Sequence, residues 1–252
     1  MYSLGLVSVS FREQSPEAVV AAVKAAGLDC IEWVCENHAP REDEARLQHL
    51  ARLQQEAGIR CCSYGSHFVL GRHNSLQLRS YIRAARILGT DVLRLWCGEK
   101  ASEAYTPREL EALYRQCRTA AVLAEAEGVT LCMECHHGTL TDRKESALDL
   151  MLAVNSPNFR MYWQPNHYLS DRENLAYAWL LAPYTNHVHV FNWHAEGEET
   201  RREPLAGAVP LWREYLKRLT GDRTLLLEYM PDGRLESLPT EAEALRRIAE
   251  ST

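Results

Sequence analysis

The sequence of 252 residues has no apolar run that approaches the roughly 18–20 residues a membrane-spanning helix needs. Met1 to Phe11 has neither a basic start nor an apolar stretch long enough for a secretory signal. A cytoplasmic protein that does not engage a membrane is the expectation. Positive charge is not in excess: 28 Lys and Arg stand against 34 Asp and Glu, for a net charge of −6. That balance argues against a general binder of phosphate backbones, so nucleic acid is not expected as a partner. A paired-cysteine framework is also missing. Of the eight cysteines, Cys61 and Cys62 are adjacent, while Cys30, Cys35, Cys97 and Cys117 are scattered. Cys132-Met133-Glu134-Cys135 reads formally as C-x-x-C, but inside an apolar strand its two thiols face opposite ways. With no second pair to complete a zinc knuckle, buried reduced thiols are expected.

Short apolar runs alternate with helical patterns along the whole chain. Leu4 to Val9 is the first strand expectation, and Ser15-Pro16-Glu17 then supplies a helix cap, a first-turn proline and an early acid. Leu28 to Val34 follows, then a helix from about Arg41 to Ala57, then Ile59 to Tyr64. The helix around Leu78, Tyr81, Ile82 and Ala85 stops at Gly89 and leads into Val92 to Trp96. Thr106-Pro107-Arg108-Glu109 is a capping box, and the helix it opens runs to Gly128. Val129 to Glu134 is the fifth strand, with Asp142 to Glu145 capping the next helix before Phe159 to Gln164. Ser170-Asp171-Arg172-Glu173 opens a helix to about Ala182, followed by His187 to Phe191. A helix from Leu211 to Leu219, the strand Thr224 to Glu228 and a helix capped at Thr240 to Glu243 complete the chain.

Strands separated by helices imply right-handed crossovers and a parallel sheet. Eight units in this length fit a closed (β/α)₈ barrel, a single α/β domain over residues 1–252. A doubly wound open sheet is the alternative. It calls for a Gly-rich phosphate turn after the first strand, and Ser8-Val9-Ser10-Phe11 is not one.

In a barrel the C-terminal strand ends converge on one face, where active sites sit. Those ends read Glu32, His67, Trp96, Glu134 with His136, Gln164 with His167, His187 with His189, and Glu228, whereas the strand starts are apolar. A single His or Glu at a strand end is more simply a solvated group, but here polar residues gather at one end of the sheet. Glu134, Gln164, His189 and Glu228 come from four different strands. Two carboxylates, an amide oxygen and an imidazole suit one divalent ion: Mn²⁺, Mg²⁺, Co²⁺ or Zn²⁺. By strand alternation His136 shares the face of Glu134, and His137 is a loop residue. Of the aromatic residues near the ends, Trp96 and Trp193 are expected to wall a bound ligand's apolar face; Tyr162 and Trp163 must point to opposite faces.

Ala25-Ala26-Gly27-Leu28-Asp29-Cys30-Ile31-Glu32, Leu131-Cys132-Met133-Glu134-Cys135-His136, Asn186-His187-Val188-His189-Val190 and Leu225-Leu226-Leu227-Glu228 resemble strand motifs of the xylose isomerase-like TIM-barrel superfamily. That superfamily holds sugar and sugar-phosphate isomerases, epimerases and the endonuclease IV type of nuclease. The resemblance spans essentially the whole chain. It implies a metal held by Glu134, Gln164, His189 and Glu228, with Gln164 departing from the family's Asp. A neutral amide oxygen there predicts weaker binding or a changed metal preference. His167 matches the His of the family's D-x-x-H, which contacts substrate, and His67 and His136 stand at matching strand ends.

The chemistry so implied is that of an isomerase or epimerase of a small sugar or sugar derivative. The ion stabilises an enediolate, while Glu134 and Glu228 remove and return a proton. His167 and Arg201 or Arg202 would position hydroxyl or phosphate oxygens, and Glu32 would support the floor of the site or orient His67. Lyase or dehydratase chemistry can start from the same enediolate. Two rivals stay open: an endonuclease IV-like nuclease with three zincs, and a sugar-binding barrel whose metal site has degraded. Exposed aromatic residues in the loops make a homodimer a further expectation.

Overall fold

Helix starts in the computed structural model, which describes residues 2–196 and 199–250, follow from local chemistry. Ser15 accepts a hydrogen bond from the Ala18 amide (3.2 Å) and opens α1 (Pro16–Ala25). Asp43 does the same for α2 (Glu44–Ala57), which therefore begins three residues after the expected Arg41. Asn74 caps α3 (Ser75–Leu88), and reciprocal capping boxes open α4 (Pro107–Glu125) at Thr106 and α6 (Asp171–Leu181) at Ser170. Two expected caps are corrected. α5 (Lys144–Val154) starts after Arg143 with no side-chain cap, because Asp142 turns its carboxylate to the Ser102 amide (3.2 Å). α8 (Leu238–Ala249) starts before Thr240, with Pro239 in its first turn. α7 spans Val209–Arg218.

The strands are β1 (Tyr2–Val7), β2 (Cys30–Val34), β3 (Arg60–Leu70), β4 (Val92–Cys97), β5 (Thr130–Glu134), β6 (Phe159–Trp163), β7 (Thr185–Val190), β8 (Trp193–Glu196), β9 (Glu199–Arg202) and β10 (Arg223–Leu227). Eight of them close a parallel barrel in the order β1-β10-β7-β6-β5-β4-β3-β2, with the helices outside. β8 and β9 form an antiparallel hairpin, an element absent from the sequence expectation, inserted between β7 and α7. The first strand ends at Val7, and Ser8–Phe11 is a 3₁₀ turn rather than further strand.

Strand alternation sorts the side chains into two packed layers. Leu131, Met133 and Cys135 of the β5 segment join the large core between sheet and helices. Cys132 instead joins Val7, Cys30, Cys62, Tyr162 and Leu226 in a smaller cluster filling the barrel. Tyr162 is the inward member of its pair; Trp163 faces out, edge-on to Trp212 (6.0 Å) and Tyr215 (5.2 Å) of α7. Burial of such large side chains against the sheet contributes roughly 25 cal/mol per Å² of apolar area and is the main force holding the helices on. All eight cysteines are buried and free. No helix among the described residues is long and apolar enough to cross a membrane.

Pairing is irregular between β6 and β7, where the register slips between Met161 and Tyr162, and on both sides of β3. The register slips between Ile31 and Glu32 on one side and between Gly65 and Val69 on the other. The irregular stretch carries His67 out to the surface, where half of its side chain is exposed (49%).

Candidate active site

Glu32, Arg94, Glu134, Tyr162 and His189 project into the barrel from five strands, and all are buried. Gln164 and Glu228 join them from the residues just beyond β6 and β10. A buried carboxylate needs a partner, because an isolated charge in a low-dielectric interior costs several kcal/mol. Arg94 supplies it twice: Nε donates to Glu32 Oε1 (2.8 Å) and Nη1 to Glu134 Oε2 (2.5 Å). Tyr162 Oη donates to the other oxygen of Glu32, and Trp96 Nε1 to Glu134 Oε2 (2.5 Å). Gly65 makes room for this pairing. A Cβ there would collide with Glu32 Oε1 and approach Arg94 Nη2 to 2.7 Å.

Above this floor lie the four expected metal ligands. His189 Nδ1 faces Gln164 Oε1 (2.9 Å), Glu134 Oε1 (3.5 Å) and Glu228 Oε2 (3.6 Å). Its Nε2 turns toward Glu32 Oε1 at 3.8 Å and has no hydrogen bond among the described residues. Ligand atoms of Glu134, His189 and Glu228 all lie within 4.8 Å of one another. Three carboxylates against one guanidinium leave two negative charges with His189 neutral, the balance a divalent cation would meet. Oxygen and imidazole donors, buried and convergent from different strands, fit such an ion.

Burial works against protonation of His189, but Glu228, Glu134 and Glu32 overcome it and raise the imidazole to about 10. Glu134 is likewise opposed by burial, yet Arg94 and His189 hold it well below the usual carboxylate range. Glu228 differs. Burial raises it, and no donor hydrogen-bonds its carboxylate among the described residues. The two glutamates expected to share the catalysis thus stand in unlike surroundings.

The expected substrate contacts line the mouth. His67 stacks on Trp96 (5.0 Å), Trp96 meets His136 (4.8 Å), and His136 stacks on His137 (4.6 Å). His137 meets His167 edge-on (5.7 Å), and His167 lies 6.2 Å from Trp193. Trp193 sits on the hairpin, stacked on Phe191 (3.9 Å) and 5.4 Å from Tyr229. Arg201 and Arg202 alternate on β9. Arg201 pairs with Glu203 (3.1 Å), whereas Arg202 lies over the ring of Tyr229, 4.0 Å from its centroid. Glu32 belongs to the floor and does not touch His67, which instead faces Glu36 (3.6 Å). Arg94 has a signal in the sequence: a lone cation inside Val92-Leu93-Arg94-Leu95-Trp96 has to be buried and paired. Tyr229, over which Arg202 lies, shows none, since that meeting depends on barrel closure.

A search of curated protein sequences gives no match. Solved structures share the fold. The probable 3-DHS dehydratase AsbF of Bacillus anthracis, involved in petrobactin synthesis, superposes with a TM-score of 0.80 at 19% identity, over 98% of this chain and 99% of that one. An L-ribulose 3-epimerase gives 0.71 at 16%, over 100% and 96%. A xylose isomerase-like TIM barrel protein from Mycobacterium smegmatis, in complex with magnesium, gives 0.69 at 14%, over 96% and 91%. A family profile described as xylose isomerase-like TIM barrel matches residues 20–250. With the closed parallel barrel and the polar strand ends, that match over nearly the full length means that the chain belongs to the xylose isomerase-like TIM barrel family.

Proposed function

We propose that this protein is a divalent-metal-dependent enzyme that takes a proton from the carbon beside a carbonyl of a small sugar or sugar derivative, acting as an isomerase or epimerase. The observation that carries the reading is the convergence of Glu134, His189 and Glu228 within 4.8 Å, with the Gln164 amide oxygen 2.9 Å from the same imidazole. A divalent ion held by these four residues supplies Lewis-acid polarisation of a carbonyl and its neighbouring hydroxyl. Glu228 is the base. Among the described residues no donor hydrogen-bonds its carboxylate, which leaves an oxygen open to take a proton. His136 and His167, on the rim, orient hydroxyl groups, and the rings of Trp96 and Trp193 cover the substrate's apolar face.

The hold on Glu134 favours a second reading. Its Oε2 is bonded to both Arg94 and Trp96, so Glu134 serves as a ligand and is poorly placed to carry a proton. With Glu228 the one of these two carboxylates that no donor engages among the described residues, the proton it takes is returned on the same face, or protonates the hydroxyl on the adjacent carbon as that C–O bond breaks and water leaves. The latter is a dehydratase. The three-ion nuclease alternative finds no second cluster of three metal-competent His, Cys, Asp or Glu side chains among the described residues.

The test is deuterium wash-in. With Mn²⁺ or Mg²⁺ in D₂O, a panel of ketoses and ketose derivatives should include one that gains deuterium beside its carbonyl. Glu228→Gln should slow that gain by about 10²–10⁴-fold. A product of unchanged mass apart from the label marks isomerisation or epimerisation, and one that has lost water marks the dehydratase. No exchange with any of the panel would refute the proposal.

A further inference from the structure

Two guanidinium groups from opposite ends of the sequence meet on one ring at the mouth of the barrel. Arg12 follows the 3₁₀ turn after β1, and its Nη2 donates to Tyr229 Oη at 2.7 Å, with Cζ 5.7 Å from the ring centroid. Arg202 ends β9, and its Cζ lies 4.0 Å from the same centroid and 5.7 Å from that of Trp193. Tyr229 directly follows Glu228. It is held at a positive φ of 58°, with its amide donating to Ser10 Oγ (2.7 Å). A tyrosine adopts that conformation at a cost, and such strain persists where surrounding contacts over-determine it.

The neighbouring Arg201 finds the Glu203 carboxylate at 3.1 Å. Among the described residues neither Arg12 nor Arg202 has a carboxylate within 4.0 Å, in a chain whose net charge is −6. Two like charges bracketing one phenol repel each other, and an anion accepting from both forks would relieve that repulsion. Arg94 already holds two of the buried carboxylates, Glu32 and Glu134, from below, and among the described residues no ion pair joins Arg12 or Arg202 to Glu228.

We infer that Arg12, Arg202 and Tyr229 form a subsite for an anionic group of the substrate, a carboxylate or a phosphate, so that the carbonyl compound acted on is an acid or a phosphate ester rather than a neutral ketose. This rests on the proposed function for its catalytic half only. The carbonyl would lie over Glu134, His189 and Glu228, and the anionic end would reach the Arg12–Arg202 bracket beside Glu228. Guanidinium forks bind either oxyanion bidentately, and the π face of Tyr229 keeps both forks oriented while the site is empty of substrate.

The two halves are tested apart. Binding of inorganic phosphate, glycolate and neutral dihydroxyacetone to the full chain is followed by calorimetry and by Trp fluorescence in EDTA at constant ionic strength. Phosphate or glycolate should bind, dihydroxyacetone should bind at least tenfold more weakly, and Arg12→Gln and Arg202→Gln should each weaken anion binding about tenfold or more. Whichever anion binds more tightly assigns carboxylate or phosphate. Tyr229→Phe removes the acceptor of Arg12 but keeps the ring, and should weaken binding less than either arginine change. Deuterium wash-in is then compared for dihydroxyacetone, dihydroxyacetone phosphate and hydroxypyruvate with Mn²⁺. Anion binding lost in both arginine variants, but without exchange, would keep the subsite and refute the catalytic reading. Exchange on the neutral ketose that equals the anionic ones, with both variants binding anions as the parent does, would overturn the subsite and leave the catalytic reading standing.

Discussion

Arg94 Nη1 meets Glu134 Oε2 at 2.5 Å inside the barrel, with about 5% of either side chain exposed. The contact sets a ligand of the candidate metal centre against a fixed cation, and through Nε the same guanidinium also holds Glu32. Removing one member of a buried ion network costs more than the network contributes, because the remaining charges stay in the interior. Arg94→Met should therefore lower unfolding stability by about 3–5 kcal/mol in urea titrations. Excess Mn²⁺ should restore more stability to the variant than it adds to the parent, since the added ion supplies the missing positive charge. Equal stabilisation of the two would separate Arg94 from the metal centre.

Gly65 is required for that network by space rather than by backbone conformation. Its missing Cβ is the room that Glu32 Oε1 and Arg94 Nη2 occupy. Gly65→Ala should destabilise by roughly 1–3 kcal/mol, the usual cost of overpacking a well-filled interior. It should also loosen metal binding through displacement of Arg94 from Glu134. Urea unfolding and metal titration of the one variant check both expectations.

Acid stability should report on Glu32. Burial alone would raise its carboxyl, but Arg94, His189 and Tyr162 together hold it at about 2, against 4.5 in an unconstrained chain. A lowered carboxylate stabilises the fold fully above 4.5, and that contribution disappears as the pH falls through about 2. It amounts to something of order 3 kcal/mol. The urea midpoint of the parent should fall between those two pH values. Glu32→Gln should be less stable at pH 7 and should fall less steeply than the parent across the same window, where Glu134 still contributes a slope.

Gln164 offers an amide oxygen where the family resemblance points to a carboxylate. Gln164→Glu keeps the reach and adds a charge beside His189 Nδ1, now 2.9 Å from the amide oxygen. Mn²⁺ affinity measured by calorimetry should rise about tenfold or more, because carboxylate is the stronger ligand for a hard divalent ion. Unchanged affinity would place Gln164 outside the coordination shell.

The barrel was legible in the sequence because its punctuation is local: caps at Ser15, Thr106 and Ser170, and stops at Gly58 and Gly89, act within one turn of a helix. The placement of Glu134, His189 and Glu228 at one mouth followed from strand parity and the direction of a parallel sheet. Asp142 was misread as a cap because its carboxylate prefers a distant amide at Ser102, a tertiary choice that no local pattern reveals. The β8–β9 hairpin escaped because its polar strands lack the apolar alternation of a buried sheet. The hold of Arg94 on Glu134, and that of Arg12 and Arg202 on Tyr229, join residues 40, 217 and 27 positions apart; closure of the barrel alone brings them together.

Anomalous diffraction from Mn²⁺-soaked crystals tests the central claim most directly. A single site per chain is predicted, bounded by Glu134 Oε1, Gln164 Oε1, His189 Nδ1 and Glu228 Oε2, with Arg94 still on Glu134 Oε2. Manganese bound elsewhere in the barrel, or three ions spread across the mouth among His67, His136 and His167, would contradict it.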